Sequence, residues 1–502
     1  MIVDELKYKI LQQFGFPPTQ EQANALDVFA QFLTDRNPHC VMILRGSAGT
    51  GKTSLSGAIV RTMQVIRQKV MLLAPTGRAA KVFSLSSGVP AYTIHRRIYR
   101  EKAFAGVDGQ FNLNDNLYAD TLFMVDEASM ISNLGLGSMS FGSGCLLDDL
   151  IHFVYQGRND RLLLIGDKAQ LPPVGEEESP ALNADMLQGY GLSVYECDLN
   201  EVLRQSQQSG ILYNATMIRQ MITHDDITQL PKISFSGFAD IKPMPGGELI
   251  EALADSYHRV GLDDTIVVTR SNKRANIFNQ GIRNMVLDRE EELESGDIIM
   301  IVKNNYYWTE KERKLEVRSE KLEVGREKLE VRGEKLEVGS DIPAFLANGD
   351  RAKVLKVRRR IDLYGFRFAT LLLQFPDYNN YEMEATVLLD TLTSEAPALT
   401  HDQQEQLFHQ VELDYQDVPL KADRMKAIRD DAYFNALQVK FAYAVTCHKA
   451  QGGQWAHVYV DQGYMTDDML TPDYIHWLYT AFTRATEMLY LVNWPETQIA
   501  TI

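Results

Sequence analysis

The sequence predicts an α/β protein built on two parallel-sheet cores, with a β-rich segment inserted into the second. Apolar runs recur along the chain and each stops at a polar, Gly- or Pro-containing turn: CVMIL, KVMLLAPTG, TLFMVDEAS, RLLLIGDKAQLPPVG, TIVVTRSN and HVYVDQG. Runs that are apolar throughout and alternate with helical stretches suit strands buried on both faces of a parallel sheet. They form two groups, residues 40–220 and residues 260–310 with 435–495, too many strand units for one small domain. Between the halves of the second group, from about Gly296 to Asp430, NGDRAKVLKV, FRFATLLLQF and YEMEATVLLD alternate as antiparallel strands do. A small β-barrel inserted into the second core is expected there.

The chain of 502 residues is 45% hydrophobic and 24% charged, the make-up of an ordinary soluble globular protein with several cores. The first residues, MIVDELKYKILQQFGFPP, hold no apolar signal region, and no apolar run approaches the length of a membrane span. Cys40, Cys145, Cys197 and Cys447 lie far apart without C-x-x-C pairing, which argues against a zinc site or a disulfide framework and for a reducing cytoplasm. The net charge of −16 works against a nucleic-acid partner, because such proteins gain affinity from counterion release. A few Lys and Arg along one groove can still bind phosphates while acidic outer faces keep the protein soluble.

From the N-terminal side, VMILRGSAGTGKTSLSGAIV reads as strand, glycine turn and helix. Gly46, Ser47, Ala48, Gly49, Thr50, Gly51, Lys52 and Thr53 fit G-x-x-x-x-G-K-[ST], with Ser54 next in the helix. The glycines let backbone N–H groups approach phosphates, Lys52 reaches the β- and γ-phosphates of a nucleoside triphosphate, and the Thr53 hydroxyl ligates Mg²⁺. Asp126 and Glu127 end the run TLFMV, where a second carboxylate for the metal and a general base are expected. An acidic pair capping a helix is an equal reading of those two in isolation, and the preceding glycine loop favours the catalytic one. Gln170, in GDKAQLPPVG, follows another buried strand and can sense a γ-phosphate.

In WLYTAFTRATEMLYLV, Arg484 is the one cation within a mostly apolar helix and strand. A buried Arg requires an anionic partner, and a nucleotide γ-phosphate held by the other core is one. Arg204, in NEVLRQSQQSGIL, is a second candidate, with a structural salt bridge as the alternative for each. Four loops, APTGRAAKVF, AYTIHRRIYR, TRSNKRAN and AVTCHKAQGGQW, combine hydroxyls, amides and scattered Lys and Arg, which suits a sequence-neutral grip on a single-stranded backbone. His95, Tyr99 or Trp455 are available there for stacking on bases, although any single aromatic is more often core.

KLEVRSE KLEVGRE KLEVRGE KLEVGS, residues 314–340, are four near-copies of a heptapeptide. Leu and Val recur at spacings of two and five, so no coiled-coil seam forms. The segment reads as a tandem duplication tolerated in a surface loop, where added length costs little closure entropy; a partner-binding arm is the alternative.

Taken in order, these segments resemble the motifs of superfamily 1 helicases, in particular the RecD-like and Dda-like branch: FPPTQEQANAL the Q motif, GSAGTGKTS motif I, APTGRAAKVF with TIHR motif Ia, VDEAS motif II, GDKAQLPPVG motif III, EVLRQSQQSGIL motif IV, AVTCHKAQGGQW motif V and LYTAFTRATE motif VI. The resemblance implies two RecA-like P-loop NTPase cores, the first at 1–96 and 120–225 and the second at 226–295 and 431–502. It also implies a β-hairpin pin at 97–119, with Phe104 or Phe111 at the fork, and an SH3-like barrel at 296–430 carrying the repeat loop at 311–340. It further implies adenine recognition by Gln22, catalysis by Lys52, Glu127 and Gln170, arginine-finger roles for Arg204 and Arg484, and metal binding by Thr53 and Asp126. Gln454 falls where related helicases carry a Glu near the ribose. Pro75, Thr76, Thr93, His95, Thr446 and His448 resemble strand contacts, and Arg78, Asn272 and Lys449 lie in the same loops.

The expected activity is therefore an ATP- and Mg²⁺-dependent DNA helicase moving 5′→3′ on single-stranded DNA and opening duplex junctions, in repair, recombination or replication. Only about 45 residues precede the glycine loop, so a monomer without a nuclease-complex docking domain is expected. An RNA or RNA–DNA helicase, or a nucleotide-gated DNA clamp without unwinding, are the rival readings, since a neutral backbone grip does not report the sugar.

Overall fold

The computed structural model describes the chain except for residues 1, 105–108, 136–141, 202–207, 225–227, 315–342, 344 and 501–502. Arg204 and most of the heptapeptide repeat lie outside the described residues.

The first sheet contains β1 (Cys40–Gly46), β2 (Lys69–Ala74), β3 (Ala91–Thr93), β6 (Thr121–Val125), β7 (Arg161–Gly166) and β8 (Ser193–Leu199), in the order β3-β2-β6-β7-β1-β8. Every pairing is parallel. β1 shows why its sequence is apolar throughout: Met42 and Leu44 enter a core with Phe29, Leu55 and Ile59, whereas Val41 and Ile43 enter the opposite core with Phe123, Leu150 and Phe153. Side chains alternate faces along a strand, so a sheet covered on both faces needs apolar residues at every position. Two further strands, β4 (Tyr99–Phe104) and β5 (Gly109–Leu113), pair only with each other, as the expected hairpin insertion.

The second sheet joins β9 (Ile241–Met244), β10 (Thr265–Thr269), β16 (Ala444–Thr446), β17 (Trp455–Asp461) and β18 (Ala485–Val492) in the order β16-β10-β17-β18-β9, again parallel throughout. By contacts, both sheets belong to one compact unit, while residues 103–109 and 276–443 form another.

That second unit is a closed barrel of β11 (Ile298–Ile301), β12 (Arg351–Leu363), β13 (Phe366–Phe375), β14 (Tyr381–Leu388) and β15 (Leu437–Phe441). β15 lies in the stretch that the sequence reading gave to the second core. It pairs instead antiparallel with β11 and parallel with β14, and closure removes two exposed sheet edges. The helices His401–Asp414 and Lys421–Arg429 cover one end of the barrel through Leu407, Val411 and Ile428.

Candidate nucleotide and nucleic-acid site

β1 delivers the chain at Gly46 into a turn in which Gly49 and Gly51 have φ of 78° and 82°, a left-handed conformation that glycine adopts without steric cost. A Cβ on Gly46 would stand 2.8 Å from Lys52 Cγ and 2.9 Å from Thr50 Oγ1, so the close return of the loop also requires glycine there. Thr50 Oγ1 donates to the Ser47 carbonyl at 2.8 Å, and Lys52 Nζ donates to the carbonyls of Gly46 and Ser47. The helix Lys52–Val65 begins at Gly51 with no side-chain cap, which leaves its first-turn N–H groups facing the loop. Thr53 and Ser54, on that first turn, are exposed.

Gln22 is 1% exposed and holds the loop from behind, its Nε2 donating to the Thr50 carbonyl at 2.9 Å. Its Oε1 accepts from Thr19 N at 3.0 Å, completing a capping box at the start of the helix Gln20–Thr34. Gln22 thus has a bracing contact on the loop that sequence reasoning did not foresee.

β7 lies beside β1 and β6 beside β7, so the residues just past either strand stand at the same carboxyl edge. Asp126 and Glu127 come directly after β6. The Glu127 backbone has φ of 52°, and its N–H donates to Asp126 Oδ1 at 2.9 Å. Desolvation, and then the Glu127 charge, push the Asp126 carboxyl up to about 7, with Lys52 pulling weakly the other way. Gln170 comes after β7, is 7% exposed, and its Oε1 has no hydrogen-bond partner among the described residues; Ser129 Oγ is in the same position. Among the described residues, a half-buried carboxylate short of cations, a lysine bonded to carbonyls, and two orphaned oxygens are polar groups short of partners. The donor set fits a triphosphate with a hard cation, which needs few protein carboxylates when phosphate oxygens complete its shell.

The second sheet contributes to this edge through the helix Pro472–Phe482. Tyr479 Oη accepts from Ala48 N at 3.0 Å and donates to Asp167 Oδ2 at 2.7 Å. Thr480 Oγ1 accepts from Leu171 N at 2.7 Å, and His476 Nδ1 lies 3.0 Å from the Ala169 carbonyl. From the helix Gly210–Thr223, Arg219 Nη1 donates to Ser47 Oγ at 2.5 Å. Arg484, 3% exposed, donates to the carbonyls of Thr480 and Gly453 and to Thr483 Oγ1 at 3.0–3.1 Å. The anionic partner expected for it is therefore not supplied by the described residues.

The predicted strand contacts cluster at strand ends. Pro75 and Thr76 come after β2, Thr93 ends β3, Asn272 comes after β10, Thr446 ends β16, and His448 and Lys449 sit in the short helix Cys447–Ala450. The hydroxyls of Thr76 and Thr93 accept from Ala79 N at 3.2 Å and Arg96 N at 3.3 Å, so each also caps a helix. Burial pushes the His95 imidazole down to about 4, leaving it neutral at physiological pH. Arg78 donates to the Gln454 carbonyl at 2.8 Å and lies 4.2 Å over the Trp455 ring, joining the two sheets' loops. Gln454 itself is exposed.

Two stacking candidates are corrected by burial. Trp455 is 2% exposed beneath Arg78, and Tyr99 is 8% exposed with its hydroxyl donating to Asp149 Oδ2 at 2.6 Å. Both are core residues, since neither ring has a free face wide enough for a base. Phe104 lies on β4 and Phe111 on β5.

A family model described as AAA domain matches residues 18–230, and one described as UvrD-like helicase C-terminal domain matches residues 441–492. The chain is 32% identical over 157 residues to the ATP-dependent RecD2 DNA helicase of Deinococcus radiodurans, a match covering 31% of this chain and 18% of that protein. It is 24% identical over 294 residues to the ATP-dependent DNA helicase dda of Enterobacteria phage T4, covering 56% of this chain and 60% of that one. These matches make the chain similar to RecD- and Dda-like superfamily 1 helicases. It spans less than two thirds of the length of either curated relative. The crystal structure of Pif1 helicase from Bacteroides in complex with ADP-AlF3 and ssDNA aligns over 97% of this chain and 95% of that one, at 13% identity and a TM-score of 0.44.

Tyr479, Thr480, His476, Arg219 and Asp167 make contacts at the loops after β1 and β7 and were missed by sequence reading. Tyr479 and Thr480 sit inside the quoted LYTAFTRATE, and Asp167 inside GDKAQLPPVG, so the motifs held the signal. Arg219, in TMIRQMIT, had none. Among the described residues, no helix is long and apolar enough to cross a membrane.

Proposed function

We propose that the chain is an ATP-dependent DNA helicase that translocates 5′→3′ on single-stranded DNA and unwinds duplex junctions in repair, recombination or replication. The observation that carries this reading is the second-sheet helix Pro472–Phe482 lying on the loops after β1 and β7, so that both sheets border one nucleotide site. A site shared in this way turns the presence or loss of a γ-phosphate into relative motion of the two sheets.

Gly46 to Ser54 hold the phosphates, with Lys52 against the β- and γ-oxygens and Gln22 behind the loop near the base. Thr53 and Asp126 are the metal ligands, and Gln454 is a ribose-side contact. Magnesium, when bound, neutralises phosphate charge. Glu127 orients and deprotonates the attacking water, Gln170 reads the γ-phosphate by donation from its side-chain amide N–H, and Arg484 and Arg204 neutralise charge developing on the γ-phosphoryl group. Pro75, Thr76, Arg78, Thr93, His95, Asn272, Thr446, His448 and Lys449 grip the strand. The hairpin within 97–119 is the pin, with Phe104 or Phe111 at the fork. The remaining division keeps to the sequence reading: nucleotide core at 1–96 and 120–225, second core from 226–295 and 431–502, and barrel module at 296–430, with β15 transferred to the barrel.

ATP hydrolysis is measured with and without single-stranded DNA and matched RNA, beside Lys52→Ala and Glu127→Gln, and then unwinding of 5′- and 3′-tailed duplexes. Strong stimulation by DNA, lost in both variants, with unwinding confined to 5′ tails, is the expected result. Indifference to every nucleic acid refutes the motor, stimulation by RNA alone moves the substrate to RNA, and preference for 3′ tails reverses the polarity.

A further inference from the structure

We infer that Tyr479 is a positioning residue that latches the second-sheet helix Pro472–Phe482 to the nucleotide loop and is displaced when a phosphate enters. The inference rests on the nucleotide reading of the loop given above. Ala48 N–H lies in the turn whose amides face the phosphate position, and it is already engaged, donating to Tyr479 Oη at 3.0 Å. An N–H carries one hydrogen, so a phosphate oxygen that takes this donor takes it from the tyrosine.

The hydroxyl is held from the other side by its own donation to Asp167 Oδ2 at 2.7 Å, on the loop that ends β7. Tyr479 is 1% exposed, so water cannot replace either bond without repacking. The same helix ends one residue before Thr483, and Arg484 comes next, a buried guanidinium bonded only to two carbonyls and a hydroxyl among the described residues. A triphosphate therefore removes one tether from this helix while offering a partner to the arginine just beyond it. Loop and helix exchange an internal contact for a contact through phosphate, which is a two-state element that nucleotide can bias. Arg219, donating to Ser47 Oγ at 2.5 Å from a helix packed on Pro472–Phe482, is a second tether on the neighbouring loop residue.

Tyr479→Phe removes the hydroxyl and leaves the ring. Losing a competing hydrogen bond tightens nucleotide binding by about two- to ten-fold, read as the Kd of a fluorescent ATP analogue without DNA. DNA-stimulated kcat falls about ten-fold, because the helix no longer registers whether the loop is filled. Asp167→Asn, which keeps the ring and the Ala48 contact, shifts both readings in the same direction by less. The double variant is no worse than Tyr479→Phe alone, since both act through one bond chain.

Unchanged Kd and kcat in Tyr479→Phe, or weaker nucleotide binding with kcat intact, overturns the latch and marks the tyrosine as packing. Should Tyr479→Phe melt too early to assay, Asp167→Asn carries the same expectation and the same refutation. A wild-type protein that binds no nucleotide overturns the latch together with the function proposed above. A wild-type motor with indifferent variants overturns the latch alone.

Discussion

Asp297 in the barrel unit and Arg484 in the two-sheet unit are buried charges met in opposite ways. In the barrel unit Asp297, fully buried, accepts from Arg283 at 3.0 and 3.1 Å, from Arg289 at 2.5 Å and from Tyr443 Oη at 2.8 Å. Where its charges lack a counter-ion they drift toward neutrality: burial pushes the Asp350 carboxyl up to about 7 and the Lys440 amine down to about 8. The two-sheet unit holds a charge that can do neither. A guanidinium stays protonated at any physiological pH, and Arg484 finds only neutral acceptors among the described residues. Paired buried charge such as that of Asp297 serves the architecture, whereas the uncompensated charge of Arg484 follows a helix that contacts the nucleotide loop, where a ligand can meet it.

Arg484 offers the sharpest way to break this contrast. Arg484→Ala is expected to lower DNA-stimulated ATP hydrolysis by about 10³-fold or more, the order assigned to arginine fingers, and Arg484→Lys to restore little of it, because a point charge does not reproduce the planar fork. Near wild-type kcat in either variant would return Arg484 to a structural role. In the barrel unit, Asp297→Ala leaves two cations without their partner, and urea denaturation should show a loss of about 3–5 kcal/mol. A loss below about 1 kcal/mol would mean that the network is solvated and the comparison fails there.

Asp350 tests the drift toward neutrality. Its folded pKa, about 7, lies above its ordinary 3.8, so the folded state holds the proton more tightly. The stabilisation is complete below pH 3.8 and is lost as pH rises toward 7. Asp350→Asn keeps an oxygen to accept from Tyr378 Oη and Ala347 N and should remove this fall from the melting profile. An identical pH profile in the variant would show that Asp350 is solvated. The smallest expected effect is at a cap: Thr19→Ala loses the hydrogen bond to Gln22 N and costs about 1 kcal/mol in thermal melts. If nucleotide affinity falls as well, Gln22 braces the loop through that cap.

The parallel strands that sequence reading found, β1, β2, β6, β7, β10 and β17, are apolar over most of their length because neighbours bury both faces. β8 was missed because it is a sheet edge, and SVYECDL carries polar residues on its open side. The glycine loop and the carboxylates after β6 were legible for the same local reason: their geometry arises within a few residues of chain. The buried fates of Tyr99 and Trp455 were not, since an aromatic beside a loop reads alike whether it faces a base or a neighbouring helix.

Left-handed glycines, capped helix starts, strands apolar on both faces and the order of the motifs are all written in the linear chain. Backbone sterics and side-chain periodicity act over a few residues, and that range is what a linear reading captures. Which sheet each strand joins, and which distant groups meet, arises only when the layers pack. Phe441 ends a barrel strand and Ala444 begins one beside β10, three positions on, because one edge closes the barrel and the other extends the sheet. Tyr479 meets Ala48 across 431 residues for a related reason: two packed layers bring them together, and no spacing in the chain records it.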